Sequence, residues 1–329
     1  MRAGHHQAGT ALLSVLLMTA LMGVLVVAML DDIRFGVRRT GNAEALAQAR
    51  RVAMGVEVLA RRRAPDLAQD RSAAWSGRVM AWPLEHGFVR GQLRDGSTCF
   101  NLNSVVEGAP SQWQRRELGV RQYTALLAAL DIPTARAQAL ADALADWIDS
   151  DGVRAPLGAE DSSYSAGGAG HLTAATLLAE PSELRAIHGY TPETYARIRP
   201  WVCALPAATL SPVNVNALAP RQAPLLSMLS LGALPPARAR AVLASRPAGG
   251  WNTPTEFWAV PAMAQAMLPN EVYDQIALRS RWFALEAQVE HAGAQASLSA
   301  LFELDAGQAG TPGDTRHTRL AHRRWTTRE

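Results

Sequence analysis

The sequence predicts an α+β protein: one very long N-terminal helix packed on a small antiparallel sheet, with a large all-α domain inserted between the strands. Three observations carry that expectation. Thr10–Leu30 is a run of 21 residues without a charge. Helical periodicity then continues to Arg63 with no proline in the way. Finally, alternating segments at 87–103 and 281–304 flank a block rich in alanine and leucine and punctuated by prolines.

The first helix is the most constrained element. At about 1.5 Å per residue, Thr10–Leu30 spans about 31 Å, the thickness of a hydrocarbon core. A secretory signal has an apolar run of about 7–15 residues followed by a small-residue cleavage site. This run is longer and ends on Asp31 and Asp32, so a membrane anchor is the better reading than a signal peptide or a buried helix of a soluble protein. The small residue Gly9 precedes the run, and cleavage between Gly9 and Thr10 would leave the apolar helix whole. Beyond the anchor, Ile33, Val37, Leu46, Val52, Val56 and Leu59 recur at intervals near 3–4, the spacing of an amphipathic helix. Arg61, Arg62 and Arg63 suit a helix C-terminus, and Pro65 is the first breaker. A continuous helix over Thr10–Arg63 would be about 80 Å long.

Extended runs at Gly87–Leu93 and Thr98–Asn103 are separated by Asp95-Gly96, a hairpin signal. Short helices are expected over 123–130, 134–148, 192–202, 220–231 and 236–245. Alternation returns over 281–290 and 296–304 around a turn at Ala292-Gly293, and 318–327 forms one further strand.

The densest chemistry lies between Asp142 and Asp161, where Asp142, Asp146, Asp149, Asp151, Glu160 and Asp161 face a single cation, Arg154. Asp149, Asp151 and Glu160 occupy positions 1, 3 and 12 of a twelve-residue loop, echoing an EF-hand, but Val153 and Arg154 stand at positions 5 and 6, where a ligand and a sharp-turn glycine belong. Clustered carboxylates favour Ca²⁺ over a transition metal. From spacing alone, a calcium loop and a solvated acidic turn are equally good readings.

Net charge is +3, too near neutral to argue a nucleic-acid partner. All cations other than histidine are arginine. There is no Walker loop, H-E-x-x-H or G-x-S-x-G, and neither cysteine is placed with a histidine as a nucleophile would be, so no enzyme is expected. The nine tryptophans, Trp147, Trp201, Trp251 and Trp258 among them, read as core or interface anchors.

A polar leader ending in Gly9, an uncharged run and a continuous amphipathic helix resemble the type IV pilins and pseudopilins. Most of that class carry Glu at the fifth mature position, where this chain has Ser14. There the acid is thought to meet the terminal amine of the subunit ahead, so a subunit with nothing ahead of it can do without. The strings LADALADWIDSD at 140–151 and GAEDSSY at 158–164 resemble more narrowly the type II secretion system protein K family, the large minor pseudopilins. So do ELRAIHGYTPETY at 183–195, VCALP at 202–206 and VNVN at 213–216.

The resemblance implies a leader at 1–9, cut between Gly9 and Thr10 by a prepilin peptidase, with methylation of the new terminus. It implies a transmembrane segment at 10–30 and a periplasmic helix at 31–64. A pilin-like domain would follow at 65–103 and 279–329, with a SAM-like or helix-hairpin-helix-like helical insertion at 104–278. Bound calcium is implied, with Asp149, Asp151, Glu160 and Asp161 as ligands and the Val153 carbonyl as a further donor. Partners would be the I- and J-type minor pseudopilins and the inner-membrane assembly platform, at the tip of a periplasmic pseudopilus that serves protein export across the outer membrane. In that compartment disulfides persist, so Cys99 and Cys203 are expected to pair, the alternative being two buried free thiols. The steric expectation agrees with the tip: an insertion of about 170 residues would collide with a subunit stacked above it.

A second reading comes from the helices around Leu231-Gly232, which resemble a helix-hairpin-helix unit of membrane-anchored DNA receptors, with Arg238, Arg240 and Arg246 as phosphate ligands. That hairpin lacks the paired glycines that let a backbone approach phosphate, as does His188-Gly189-Tyr190. No nucleic-acid partner is expected.

Overall fold

A computed structural model describes residues 6–166, 170–305 and 318–326; the first five residues of the expected leader lie outside it. Helix α1 (His6–Leu67) is continuous over 62 residues, about 93 Å. Its apolar span is long and apolar enough to cross a membrane, and none of it is buried among the described residues. Burial begins at Ala45. From there Ala49, Ala53, Ala64 and Ala68 form a small-residue stripe that lets the helix lie close on a sheet.

That sheet has five strands, β1 (Val79–Leu84), β2 (Gly87–Asp95), β3 (Trp282–His291), β4 (Ala294–Leu304) and β5 (Thr318–Thr326), antiparallel and in that spatial order. Register is set by the buried alternation: Val89 faces Val289, Leu93 faces Leu285, and Phe283 faces Phe302. The β3–β4 turn falls at Ala292 and Gly293, both at positive φ (48° and 81°), the conformation of a tight primed hairpin turn.

Two expectations are corrected here. The helix does not stop before Pro65 but runs through it to Leu67. A proline has no N–H for the carbonyl four residues back, and that carbonyl, Arg61 O, instead accepts from Thr318 Oγ1 at 3.2 Å, while Arg61 Nη2 donates to Thr318 O at 3.0 Å. Likewise, Asp95-Gly96 is not a hairpin turn. The β2 hairpin partner is β1, and after Asp95 the chain leaves the sheet. The expected strand 98–103 shrinks to Phe100–Asn101, paired in parallel with Val202–Cys203.

Between β2 and β3 lies the inserted block. Its helices include α2 (Glu117–Ala129), α3 (Thr134–Ile148), α4 (Asp161–Ala166), α5 (Pro192–Ile198), α6 (Ala223–Leu229) and α7 (Pro236–Ala244). They surround a core of Tyr123, Leu126, Leu127, Leu140, Leu144 and Ile148. The block is not purely helical: Val106–Ala109 and Gln112–Arg115 form a hairpin, and Val213–Asn214 pairs in parallel with Ile276–Ala277. Buried asparagines replace longer strands as the organisers. Asn101, Asn103 and Asn216 each exchange bonds with backbone groups of distant segments, among them Leu205, Leu178 and Trp251.

The block joins the sheet at a buried carboxylate. Asp95 accepts from Ser97 N (2.8 Å), Ser97 Oγ (2.5 Å), Asn214 Nδ2 (2.6 Å) and Ser280 Oγ (2.5 Å). Its bonds therefore gather the first turn of the insertion, its interior and its last residues. Burial nevertheless raises the Asp95 carboxyl above its ordinary range. Beside it, Cys99 and Cys203 form a disulfide.

Candidate cation site

Helix α3 is apolar on its core face, yet it buries two carboxylates, Asp142 and Asp146, one turn apart. It ends at Asp149, whose N–H still bonds to Ala145 O at 2.9 Å. The next residue ties the chain to the hairpin, with Ser150 N donating to Trp113 O (2.9 Å) and Trp113 N to Ser150 Oγ (3.0 Å). Asp151 then closes an Asx turn by accepting Val153 N at 2.8 Å. A loop brings the chain back to Glu160, immediately before α4.

This path gathers Asp149, Asp151 and Glu160, each offering an oxygen within 4.8 Å of the others. Asp149 and Glu160 are 4% and 6% exposed. Asp149 Oδ1 and Glu160 Oε1 are buried and receive no hydrogen bond. Burial first, then the neighbouring carboxylates, raises both groups to about 7. Buried, orphaned and mutually repelling oxygens are what a hard cation would compensate, so this donor set fits Ca²⁺.

Two further ligands were expected, Asp161 and the Val153 carbonyl. Asp161 turns away and accepts from Thr173 N (2.8 Å) and Thr173 Oγ1 (2.7 Å), which lower its pKa. Val153 connects to the trio through its N–H bond to Asp151, with its side chain in solvent. Asp146, not among the expected ligands, also acts on the site: its charge contributes to raising both Asp149 and Glu160. Its position three residues before Asp149 on an expected helix was the available signal.

Gly9 and Thr10 lie in the first turns of α1. Ser14 Oγ donates to Thr10 O at 2.9 Å, so its hydroxyl is satisfied within the helix. Of the three arginines considered for phosphate, Arg246 is spent internally: its Nη1 donates to Val215 O, Asn216 O and Leu218 O at 3.0, 2.8 and 2.8 Å.

A long, half-exposed N-terminal helix on a five-stranded meander, with a helical block carrying a carboxylate loop, is the architecture of a pilin-like subunit with an enlarged head. Two family models, both described as "Type II secretion system (T2SS), protein K", match residues 98–207 and 213–279. Among curated relatives, type II secretion system protein K of Pectobacterium carotovorum subsp. carotovorum is 32% identical over 292 residues, covering 86% of this chain and 88% of the relative. That of Klebsiella pneumoniae is 36% identical over 267 residues, covering 79% and 81%. The fold also matches a chain in the crystal structure of the GspK-GspI-GspJ complex from the enterotoxigenic Escherichia coli type 2 secretion system. There the TM-score is 0.71 at 27% identity, over 88% of this chain and all of that one. The chain belongs to the type II secretion system protein K family and is a minor pseudopilin of type II secretion.

Proposed function

We propose that this protein caps the periplasmic pseudopilus and nucleates its assembly with I- and J-type minor pseudopilins, for protein export across the outer membrane. One observation carries the tip placement. At the sheet end where the insertion joins, Leu93 and Phe283 pack with Ala64 and Ala68 near the C-terminus of α1, whereas at the opposite end Val89 and Val289 pack with Ala49 and Ala53. The insertion therefore projects away from the membrane anchor, where a subunit stacked ahead would have to sit. Ser14 fits the same reading, since no amine ahead needs a buried carboxylate.

Calcium is the cation proposed for Asp149, Asp151 and Glu160. When bound it would supply the positive charge that these carboxylates lack. Asp161 and the Val153 carbonyl are proposed as further donors beside the trio. Prepilin peptidase would cut between Gly9 and Thr10 in the inner membrane, the bulk of the chain would lie in the periplasm, and the assembly platform would receive the complex.

The test is co-expression of the full chain with the two small pseudopilins, extraction in mild detergent and sizing with and without a calcium chelator. The expected result is a stable complex that weakens in chelator. Its absence under both conditions would remove the nucleation role.

A further inference from the structure

Asp142 and Asp146 lie outside the trio but hold the loop that returns Glu160 to it. Asp146 accepts Ala155 N with both oxygens, at 3.3 and 3.1 Å. Asp142 Oδ2 accepts Leu157 N at 3.3 Å, while its Oδ1 is fixed by Arg115 Nη2 (2.7 Å) and Gln138 Nε2 (2.8 Å). Arg154 closes the neck of the loop, its Nε donating to Gly158 O at 2.8 Å. The loop lies so close on α3 that a Cβ at Gly158 would stand 2.0 Å from Asp146 Oδ2. Glu160 follows two residues later.

We propose that Arg154, Asp142 and Asp146 form a latch that presets the cation loop, folding residues 154–158 onto α3 so that Glu160 already faces Asp149 and Asp151 before a divalent cation arrives. They are positioning residues, and the inference rests on the cation reading above. Arg154 separates the latch from simple electrostatics. Removing a positive charge from the loop that carries the carboxylates strengthens, if anything, the attraction for a divalent cation. Unlatching weakens binding, because the cost of ordering the loop is then subtracted from the binding free energy. The two effects have opposite signs. Arg154 is also solvent-exposed, so Arg154→Met leaves the core untouched.

The experiment titrates Ca²⁺ calorimetrically into the full chain in detergent, comparing the wild type with Arg154→Met and Gly158→Ala, with calcium-free thermal unfolding of each as a control for folding. Both variants are expected to bind about tenfold more weakly, the size of effect known for outer-shell partners of metal ligands, with Arg154→Met melting as the wild type does without calcium. Equal or tighter binding by Arg154→Met overturns the latch and leaves the cation site standing. Absence of binding by the wild type overturns the cation reading and the latch with it. If Gly158→Ala does not fold, Arg154→Met decides the question alone.

Discussion

Asp149 and Glu160 make the chemistry of the loop measurable. Both carboxyls sit at about 7 without a cation, well above an unfolded carboxylate near 4. A raised carboxyl favours the folded state only while protonated, so that contribution is whole below about pH 4 and disappears as pH rises through about 7. In chelator the melting temperature should therefore fall between pH 4.5 and 7.5, and millimolar calcium should flatten that slope, as a calorimetric pH series with and without calcium would show. Protons compete for the same oxygens, so calcium affinity should weaken as pH drops from 8 to 5.5. Double substitution of Asp149 and Glu160 by Asn and Gln should abolish the calcium effect while raising calcium-free stability.

The loop was legible in the sequence as a density of acids, and 149, 151 and 160 were legible as a group because their spacing resembles a known loop. That spacing picks Glu160 rather than Asp161, but no local rule places the Asp161 carboxylate. Its outward turn depends on Thr173, twelve residues away. The loop-holding roles of Asp142 and Asp146 were hidden as well, since only the folded loop defines where the N–H groups of Leu157 and Ala155 that they accept from lie.

At the scale of elements, β5 clasps the anchor helix. Arg323 makes a two-pronged pair with Glu57, which is 1% exposed, with Nη2 to Oε1 at 2.7 Å. Thr318 bonds at Arg61, and Arg50 lies over the Trp325 ring at 5.6 Å. Arg323→Ala leaves a buried carboxylate without its cation. It should cost about 2 kcal/mol, less than the 3–5 of a fully buried pair because Arg323 itself is partly in water. Glu57→Gln should cost less, and urea unfolding of the two variants checks the order. The disulfide closes a loop with a separation of 104 residues, worth about 4.7 kcal/mol in the chain-entropy model. Cys99→Ser with Cys203→Ser should lower the unfolding midpoint by a correspondingly large amount, and added reductant should have no further effect on that variant.

Elements defined by period were readable: α3 over 134–148 and the β3–β4 hairpin fall where their patterns place them. Elements defined by distant partners were not. Pro65 reads as a stop until Thr318 supplies the bond that Arg61 O would otherwise lack, and Asp95-Gly96 reads as a hairpin until Asn214 and Ser280 hold Asp95 in place.

For the whole molecule, the anchor and the head set complementary limits. The exposed apolar helix can associate with like helices in a membrane or a filament core, while the insertion joins the far end of the sheet, the side on which the proposed tip placement has no subunit ahead. Shortening the insertion by excising residues 104–278 would also remove the Cys203 partner of Cys99, so a truncated head is expected to misfold rather than to elongate a filament. The direct test leaves the head intact. Pseudopili assembled from all subunits can be labelled with gold through a tag at the C-terminus of this chain and viewed by electron microscopy. A single label at one end of each filament is the expected result; labels repeated along the filament length would contradict placement at the tip.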